Sequence, residues 1–198
     1  MKKAIFLDRD GVINRVIFNK KYGKYNAPSS LKEFRLLPGV AEIIKKFKEN
    51  GFLVVIVSNQ PDVARKKFSI EELNRITKIM KERLIKKGAV LDGVYYCLHH
   101  PDPEQVVLKK YLKNCNCRKP KPGLLFKAIK KFKISPRISW MVGDGLNDIK
   151  AGQTAGCKTI LIFSKKVDYN SPIQRVNVKP DYIVRSLKEA SKIILKQN

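Results

Sequence analysis

Short unbroken apolar runs alternate along the chain with stretches whose apolar side chains recur every three to four positions. Ala4-Ile5-Phe6-Leu7 and Phe52-Leu53-Val54-Val55-Ile56-Val57 are continuous runs, the pattern of strands covered on both faces, as in a parallel sheet. Between them Val40, Ile43, Ile44 and Phe47 mark one face of a helix, opened by Pro38-Gly39 and stopped by Asn50-Gly51. Ser69 and Glu72 form a capping box for a second helix, with Leu73, Ile76, Met80 and Leu84 as its buried stripe and Gly88 as its stop. A strand at Val94-Tyr95-Tyr96 follows, then a long connection. Next come a helix carrying Leu125, Phe126, Ile129 and Phe132, and a strand over Ile138-Ser139-Trp140-Met141-Val142. A helix up to Ala155-Gly156, a strand Thr159-Ile160-Leu161-Ile162, a polar loop over residues 164–180 and a strand Tyr182-Ile183-Val184 complete the alternation. Ser186 and Glu189 cap the closing helix. Residues 15–37 show no sustained periodicity and read as a loop beside the site. The fold class is α/β, a doubly wound, Rossmann-like parallel sheet, and the length suits one domain over residues 1–198.

In open parallel sheets, functional groups gather at the carboxyl ends of the strands. The first strand empties into Asp8 and Asp10, whose side chains leave on the same side of an extended chain, with Gly11 free to turn behind them. Either the two carboxylates share one small space, or one caps the turn and the other is solvated. The second strand ends in Ser58-Asn59-Gln60, and Gly143-Asp144 with Asp148 ends a later one; Lys119 precedes a helix. Crowded carboxylates repel, and a hard divalent cation is their natural neutraliser; magnesium beside one or two carboxylates also binds phosphate.

Charge changes the picture less than its size suggests. The net charge is +25, from 42 Lys and Arg against 17 Asp and Glu. The lysines fall in scattered pairs, among them Lys45-Lys46, Lys66-Lys67, Lys86-Lys87 and Lys165-Lys166, with no dense tract and no aromatic interleaving. They read as solvated helix faces rather than a nucleic-acid surface. The resulting field favours small anionic substrates at low salt. No apolar run is long enough to span a membrane, and Met1-Lys2-Lys3 leads directly into the first strand rather than into a signal peptide. A cytoplasmic monomer without a membrane partner is expected.

Three of the four cysteines join a histidine in Cys97-x-His99 and Cys115-x-Cys117, with fifteen residues between the pairs. In a reducing compartment disulfides are disfavoured. The spacing leaves two readings open, a zinc site or unlinked thiols. His100 is a possible substitute for His99, and Cys157 reads as a small core residue.

Asp8-Arg9-Asp10-Gly11, Ser58-Asn59, Lys119 and Gly143-Asp144 with Asp148 resemble the four ordered motifs of the haloacid dehalogenase-like phosphatases. More narrowly, Phe6-Leu7-Asp8-Arg9-Asp10-Gly11, Ser58-Asn59-Gln60, Cys97-x-His99-His100-Pro101 and Cys115-x-Cys117-Arg118-Lys119-Pro120 resemble the D-glycero-D-manno-heptose 1,7-bisphosphate phosphatases. The resemblance implies a haloacid dehalogenase-type fold without a large cap domain. It also implies a zinc-stapled insertion over about residues 97–117, held by Cys97, His99, Cys115 and Cys117.

For chemistry, the resemblance implies Asp8 as nucleophile, forming an aspartyl-phosphate, and Asp10 as acid and then base. Magnesium would be held by Asp8, the main-chain carbonyl of Asp10 and Asp144. Ser58 and Lys119 would offset charge on the phosphoryl group, Asp148 would orient Lys119 or nearby water, and Asn59, Gln60 and Arg118 would contact a small phosphorylated sugar. Histidinol phosphate and a polynucleotide 3′-phosphate are alternative substrates, and a basic nucleic-acid-binding protein is an alternative reading. The family's usual Asn-Gln-Ser-Gly-Ile-Ala-Arg-Gly is here Asn59-Gln60-Pro61-Asp62-Val63-Ala64-Arg65-Lys66, which puts the shape of the sugar pocket in question.

Overall fold

The structure is a computed structural model and describes residues 1–20, 23–163 and 178–197. Tyr22, the Lys165-Lys166 pair and most of the polar loop expected over 164–180 lie outside the described residues. Strands β1 (Ala4–Leu7), β4 (Leu53–Asn59), β5 (Gly93–Cys97), β6 (Trp140–Gly143), β7 (Lys158–Ile162) and β8 (Tyr182–Val184) form a six-stranded sheet in the order β5-β4-β1-β6-β7-β8. Every neighbouring pair is parallel. The two-residue period of each strand supplies two cores. Ile5, Leu7, Val54 and Ile56 face the one closed by helices α1 (Val40–Glu49), α2 (Ile70–Ile85) and α5 (Leu187–Lys196). Ala4, Phe6, Val55 and Val57 face the other, closed by α3 (Gly123–Phe132) and α4 (Leu146–Thr154). Continuous apolar runs are therefore required, as the doubly wound reading expects.

The helix caps follow the local sequence. Ser69 Oγ accepts the amide of Glu72, and Ser186 Oγ that of Glu189, while Gly51 has a left-handed φ of 78° just past α1. Three local expectations need correction. Residues 15–37 are not all loop: β2 (Ile17–Asn19) and β3 (Lys24–Asn26) pair antiparallel, with the Phe18 and Tyr25 rings 5.0 Å apart. Three-residue strands are too short to show periodicity. Ile138 is not in a strand, because Pro136–Ile138 forms a 3-10 turn and β6 begins at Trp140. Phe126 is not part of the buried stripe of α3; it is 48% exposed. The stripe is built on Leu124, Leu125 and Ala128, and Phe126 falls nearly opposite its centre.

Among the described residues, two insertions stand at the carboxyl edge, the β2–β3 hairpin and the connection from β5 to α3, which carries 3-10 turns at Pro103–Gln105 and Lys109–Tyr111. Among the described residues there is no second body large enough to cap the sheet. None of the helices there is long and apolar enough to cross a membrane.

Candidate active site and metal centre

The sheet order puts β1 between β4 and β6, so polar groups far apart in sequence leave from three adjacent strand ends. Phe6 is in register with Val55 and with Met141. Asp8, Asp144 and Asp148 thereby converge, each with a carboxylate oxygen within 4.8 Å of the others. Two glycines make the approach possible. A Cβ on Gly11 would overlap the Asp144 carboxylate, and one on Gly143 would overlap that of Asp148.

Lys119 enters from the loop before α3 and is 3% exposed. Its Nζ lies 3.0 Å from Asp8 Oδ1, pairs with Asp148, and donates to the Val57 carbonyl at 2.8 Å. Burial opposes its charge, but Asp148 and Asp8 outweigh that and raise its pKa, so it stays an ammonium. Burial also pushes Asp148 up to about 6. Asp144 is raised well above the usual carboxylate range, first by burial and then by the charges of Asp8 and Asp148. This crowding is what a divalent cation relieves, and the donor set of oxygens fits magnesium.

Asp10 is held from several sides. The Nε and Nη2 of Arg9 reach both of its oxygens at 3.0–3.2 Å. Asn14 Nδ2 donates to Oδ1 at 2.9 Å and Gln60 Nε2 to Oδ2 at 2.6 Å. Gln60 also donates to Ser58 Oγ at 3.1 Å and accepts from Arg9 Nη2 at 2.9 Å. Asp8, Asp10, Ser58, Asn59, Gln60 and Asp144 line a cavity of about 260 Å³ whose far wall includes Tyr25, Asn26 and Arg65.

The second cluster lies on the β5–α3 connection. Cys97, His99, Cys115 and Cys117 each offer a ligand atom within 4.8 Å of the others. Cys117 Sγ lies 3.1 Å from the sulfurs of both Cys97 and Cys115, and 3.4 Å from His99 Nδ1. The cysteines are not disulfide-bonded. Ligands of a tetrahedral zinc stand ~3.8 Å apart for bonds of about 2.3 Å, so the cluster is close to that geometry. Burial raises the Cys97 and Cys117 thiols. Burial opposes ionisation of Cys115 too, but there hydrogen bonds from Cys117, Cys97 and His99 outweigh it and bring the thiol down to about 6. One sulfur thus carries the negative charge of the trio, and a metal would have to displace protons from the other two. His100 is not the substitute ligand: its Nδ1 accepts the Asp102 amide at 3.2 Å and its Nε2 faces Arg65. Cys157 is buried in the core closed by α3 and α4.

The sequence and the fold have counterparts in known proteins. A profile for HAD-hydrolase-like proteins matches residues 116–190. The chain is 37% identical, over 98% of its length and 97% of the other's, to a D-glycero-beta-D-manno-heptose-1,7-bisphosphate 7-phosphatase of Pasteurella multocida. It is 34% identical to the Escherichia coli K12 protein of the same name, over 98% and 94% of the two chains. The chain belongs to the D-glycero-β-D-manno-heptose-1,7-bisphosphate 7-phosphatase family. It is a HAD-type phosphatase, a hydrolase of phosphoric monoesters. Among solved structures, a D,D-heptose 1,7-bisphosphate phosphatase from B. bronchiseptica, crystallised with magnesium and phosphate, superposes with a TM-score of 0.80 at 27% identity, covering 99% of both chains.

Within this heptose-bisphosphatase framework, the three residues expected to touch the sugar each hold part of the protein as well. Asn59 donates to the Lys119 carbonyl and accepts the Lys119 amide, both at 3.0 Å, so it clamps the backbone of that lysine. Gln60 is 1% exposed and spends its amide on Arg9, Asp10 and Ser58. Arg118 donates to the His99 carbonyl at 3.2 Å and so ties itself to the cysteine loop. Of the unusual segment after Gln60, Asp62 takes ion pairs from Arg65 at 3.1 Å and Lys67 at 3.2 Å at the cavity rim. Arg9, fully buried, and Asn14 were not singled out in the sequence. The available signal was the charge itself: an arginine between two acids directly after a strand buried on both faces is close to the core, where a charge needs a partner.

Proposed function

We propose that the chain removes the 7-phosphate of D-glycero-β-D-manno-heptose 1,7-bisphosphate as a soluble cytoplasmic monomer that uses magnesium and carries a structural zinc. The observation that carries this reading is the Lys119 ammonium 3.0 Å from Asp8 within a group of carboxylates that meets only through the fold. Asp8 attacks phosphorus: its oxygen forms the new O–P bond, the sugar O–P bond breaks, and Asp10 gives its proton to the departing oxygen. Water then attacks the aspartyl-phosphate, the acyl O–P bond breaks, Asp10 takes the water's proton, and inorganic phosphate leaves.

Asp8, Asp144 and the main-chain carbonyl of Asp10 would hold magnesium, which when bound supplies positive charge to the phosphoryl oxygens. Lys119 and Ser58 supply theirs from the protein side. Asp148 positions Lys119, and Asn59 fixes the backbone that carries it. Cys97, His99, Cys115 and Cys117 would close a four-ligand zinc with no open position, a structural rather than a catalytic role. Because Lys119 follows Cys117 after one residue, that zinc would fix where the lysine enters the site. Arg118, one residue closer to the zinc, ties this loop together through the His99 carbonyl, and its remaining guanidinium donors are the groups on this loop suited to a substrate oxygen.

The test is phosphate release with magnesium over a panel of heptose 1,7-bisphosphate anomers, histidinol phosphate and 3′-phosphorylated oligonucleotides. The heptose bisphosphate is expected to be turned over fastest and Asp8→Asn to release none. Comparable turnover by Asp8→Asn would remove the covalent scheme. Preference for histidinol phosphate would reassign the substrate, and preference for the oligonucleotide, with steep salt dependence, would make the basic surface its binding site.

A further inference from the structure

We infer that Arg9 is the positioning residue of this phosphatase, locking the Asp10 carboxylate in the one orientation from which it can exchange protons with the leaving oxygen and the incoming water. The inference rests on the reading of Asp10 as acid and base given above and goes beyond it. Arg9 is the largest of the fully buried side chains, with no exposure at all. It stands on the bend just past the end of β1, and its guanidinium reaches both Asp10 oxygens. Below it lies the ring of Tyr96, 5.5 Å from the guanidinium carbon. Beside it Gln60 accepts from Nη2 and donates to the same carboxylate. Asn14 completes the ring of donors.

A buried arginine is a poor way to add stability, since an apolar residue of similar volume commonly does as well. What a planar guanidinium does better is hold a carboxylate against rotation, because two rigidly spaced donors act at once. Nε and Nη2 each stand at nearly equal distance from both Asp10 oxygens, so the guanidinium edge lies across the carboxylate edge. No cap domain is present among the described residues to press Asp10 into place. The fork from below and the amides from the sides do that work in the open site.

The orientation of Asp10 matters unequally to different substrates, which gives the test. A 4-nitrophenyl group leaves as phenolate without a proton, so its first step needs no acid. Hydrolysis of the aspartyl-phosphate still needs a base, whatever the substrate. In Arg9→Met, kcat for heptose bisphosphate is expected to fall roughly 10- to 100-fold, with KM within about threefold of the parent. With 4-nitrophenyl phosphate, rapid mixing should show a burst of one nitrophenolate per site followed by slow turnover, because the first step stays fast while the second slows. Arg9→Lys keeps the charge but offers no rigidly spaced pair of donors, and should show the same split at smaller size.

If Arg9→Met does not fold, Gln60→Leu, which removes the lateral donor and leaves Arg9 in place, must show the burst instead. Equal losses on both substrates with no burst, or a rise in KM at unchanged kcat, would overturn the inference while leaving the phosphatase assignment intact. Magnesium-loaded parent protein that hydrolyses neither substrate would overturn the assignment and the inference together.

Discussion

The main chain of Gly11 and the carboxylate of Asp144 stand so close that a single added methyl would overlap the Asp144 oxygen. Gly11 also has φ +80°, a conformation that side chains of L residues resist. Two independent requirements therefore fall on one position, and both concern the meeting of β1 with the end of β6. Gly11→Ala is expected to push Asp144 out of reach of Asp8. Phosphate release should fall by about 100-fold or more, and the magnesium concentration giving half-maximal activity should rise, while the far-ultraviolet circular dichroism stays that of the parent. Unchanged magnesium dependence would mean that Asp144 can relocate without cost.

The carboxylate cluster makes the response to magnesium depend on pH. Burial raises Asp148 to about 6 from a value near 3.8, and burial with the charges of Asp8 and Asp148 raises Asp144 well above that range. A carboxyl raised in the folded state lends stability that is complete below its unfolded pKa and is lost as pH climbs through the folded one. For Asp148 that loss runs from about pH 4 to about pH 6, and for Asp144 it also lies above the unfolded value. Metal-free protein thus loses this contribution on the way to neutral pH, where ionised carboxylates are free to bind the cation. Millimolar magnesium should raise Tm more at about pH 7.5 than at about pH 5. Equal increments at the two values would disconnect the metal from these two acids.

Zinc removal should act on catalysis through position alone. Elemental analysis of protein purified without chelator is expected to find close to one zinc per chain. A strong chelator or Cys117→Ser should lower Tm by roughly 10 °C or more, and activity should fall with it, since the loop also packs on α3 through the bond from the Gly123 amide to the Asn116 carbonyl at 3.0 Å. Zinc, but not additional magnesium, should restore the chelated protein. Stoichiometric absence of zinc in active protein would return the cysteines to unlinked thiols.

Asn59 offers a cleaner perturbation of Lys119 than replacing the lysine. Its side chain makes two hydrogen bonds to the Lys119 main chain, each worth about 1 kcal/mol. If both act to hold the ammonium against the phosphoryl group, Asn59→Leu should lower kcat roughly 10- to 30-fold and leave KM within about threefold. A large KM effect at constant kcat would mean that Asn59 contacts the sugar, as its place in the motif suggested.

Much of the architecture can be read locally. The apolar runs at Ala4–Leu7 and from Phe52 onward have to be strands buried on both faces, and Ser69, Ser186 and Gly51 mark helix ends by chemistry that involves only near neighbours. Phe126 and Ile138 escaped because helix phase and strand start were set by Gly123 packing under Asn116 and by the turn at Pro136. The hairpin at residues 17–26 escaped because its strands are too short to carry a period.

The site divides along the same line. Residue type and spacing alone determine that two acids follow a strand buried on both faces and that paired cysteines with a histidine are a soft-ligand set, because these follow from the chain over a few residues. Only the tertiary structure decided that β1 lies between β4 and β6, and hence that Asp8, Asp144 and Lys119 meet. It also decided which groups Asn59 and Gln60 hold, the Lys119 main chain for the one and Arg9, Asp10 and Ser58 for the other. Which partner satisfies a buried polar group is a question of contacts between distant segments, and no local pattern of residues contains the answer.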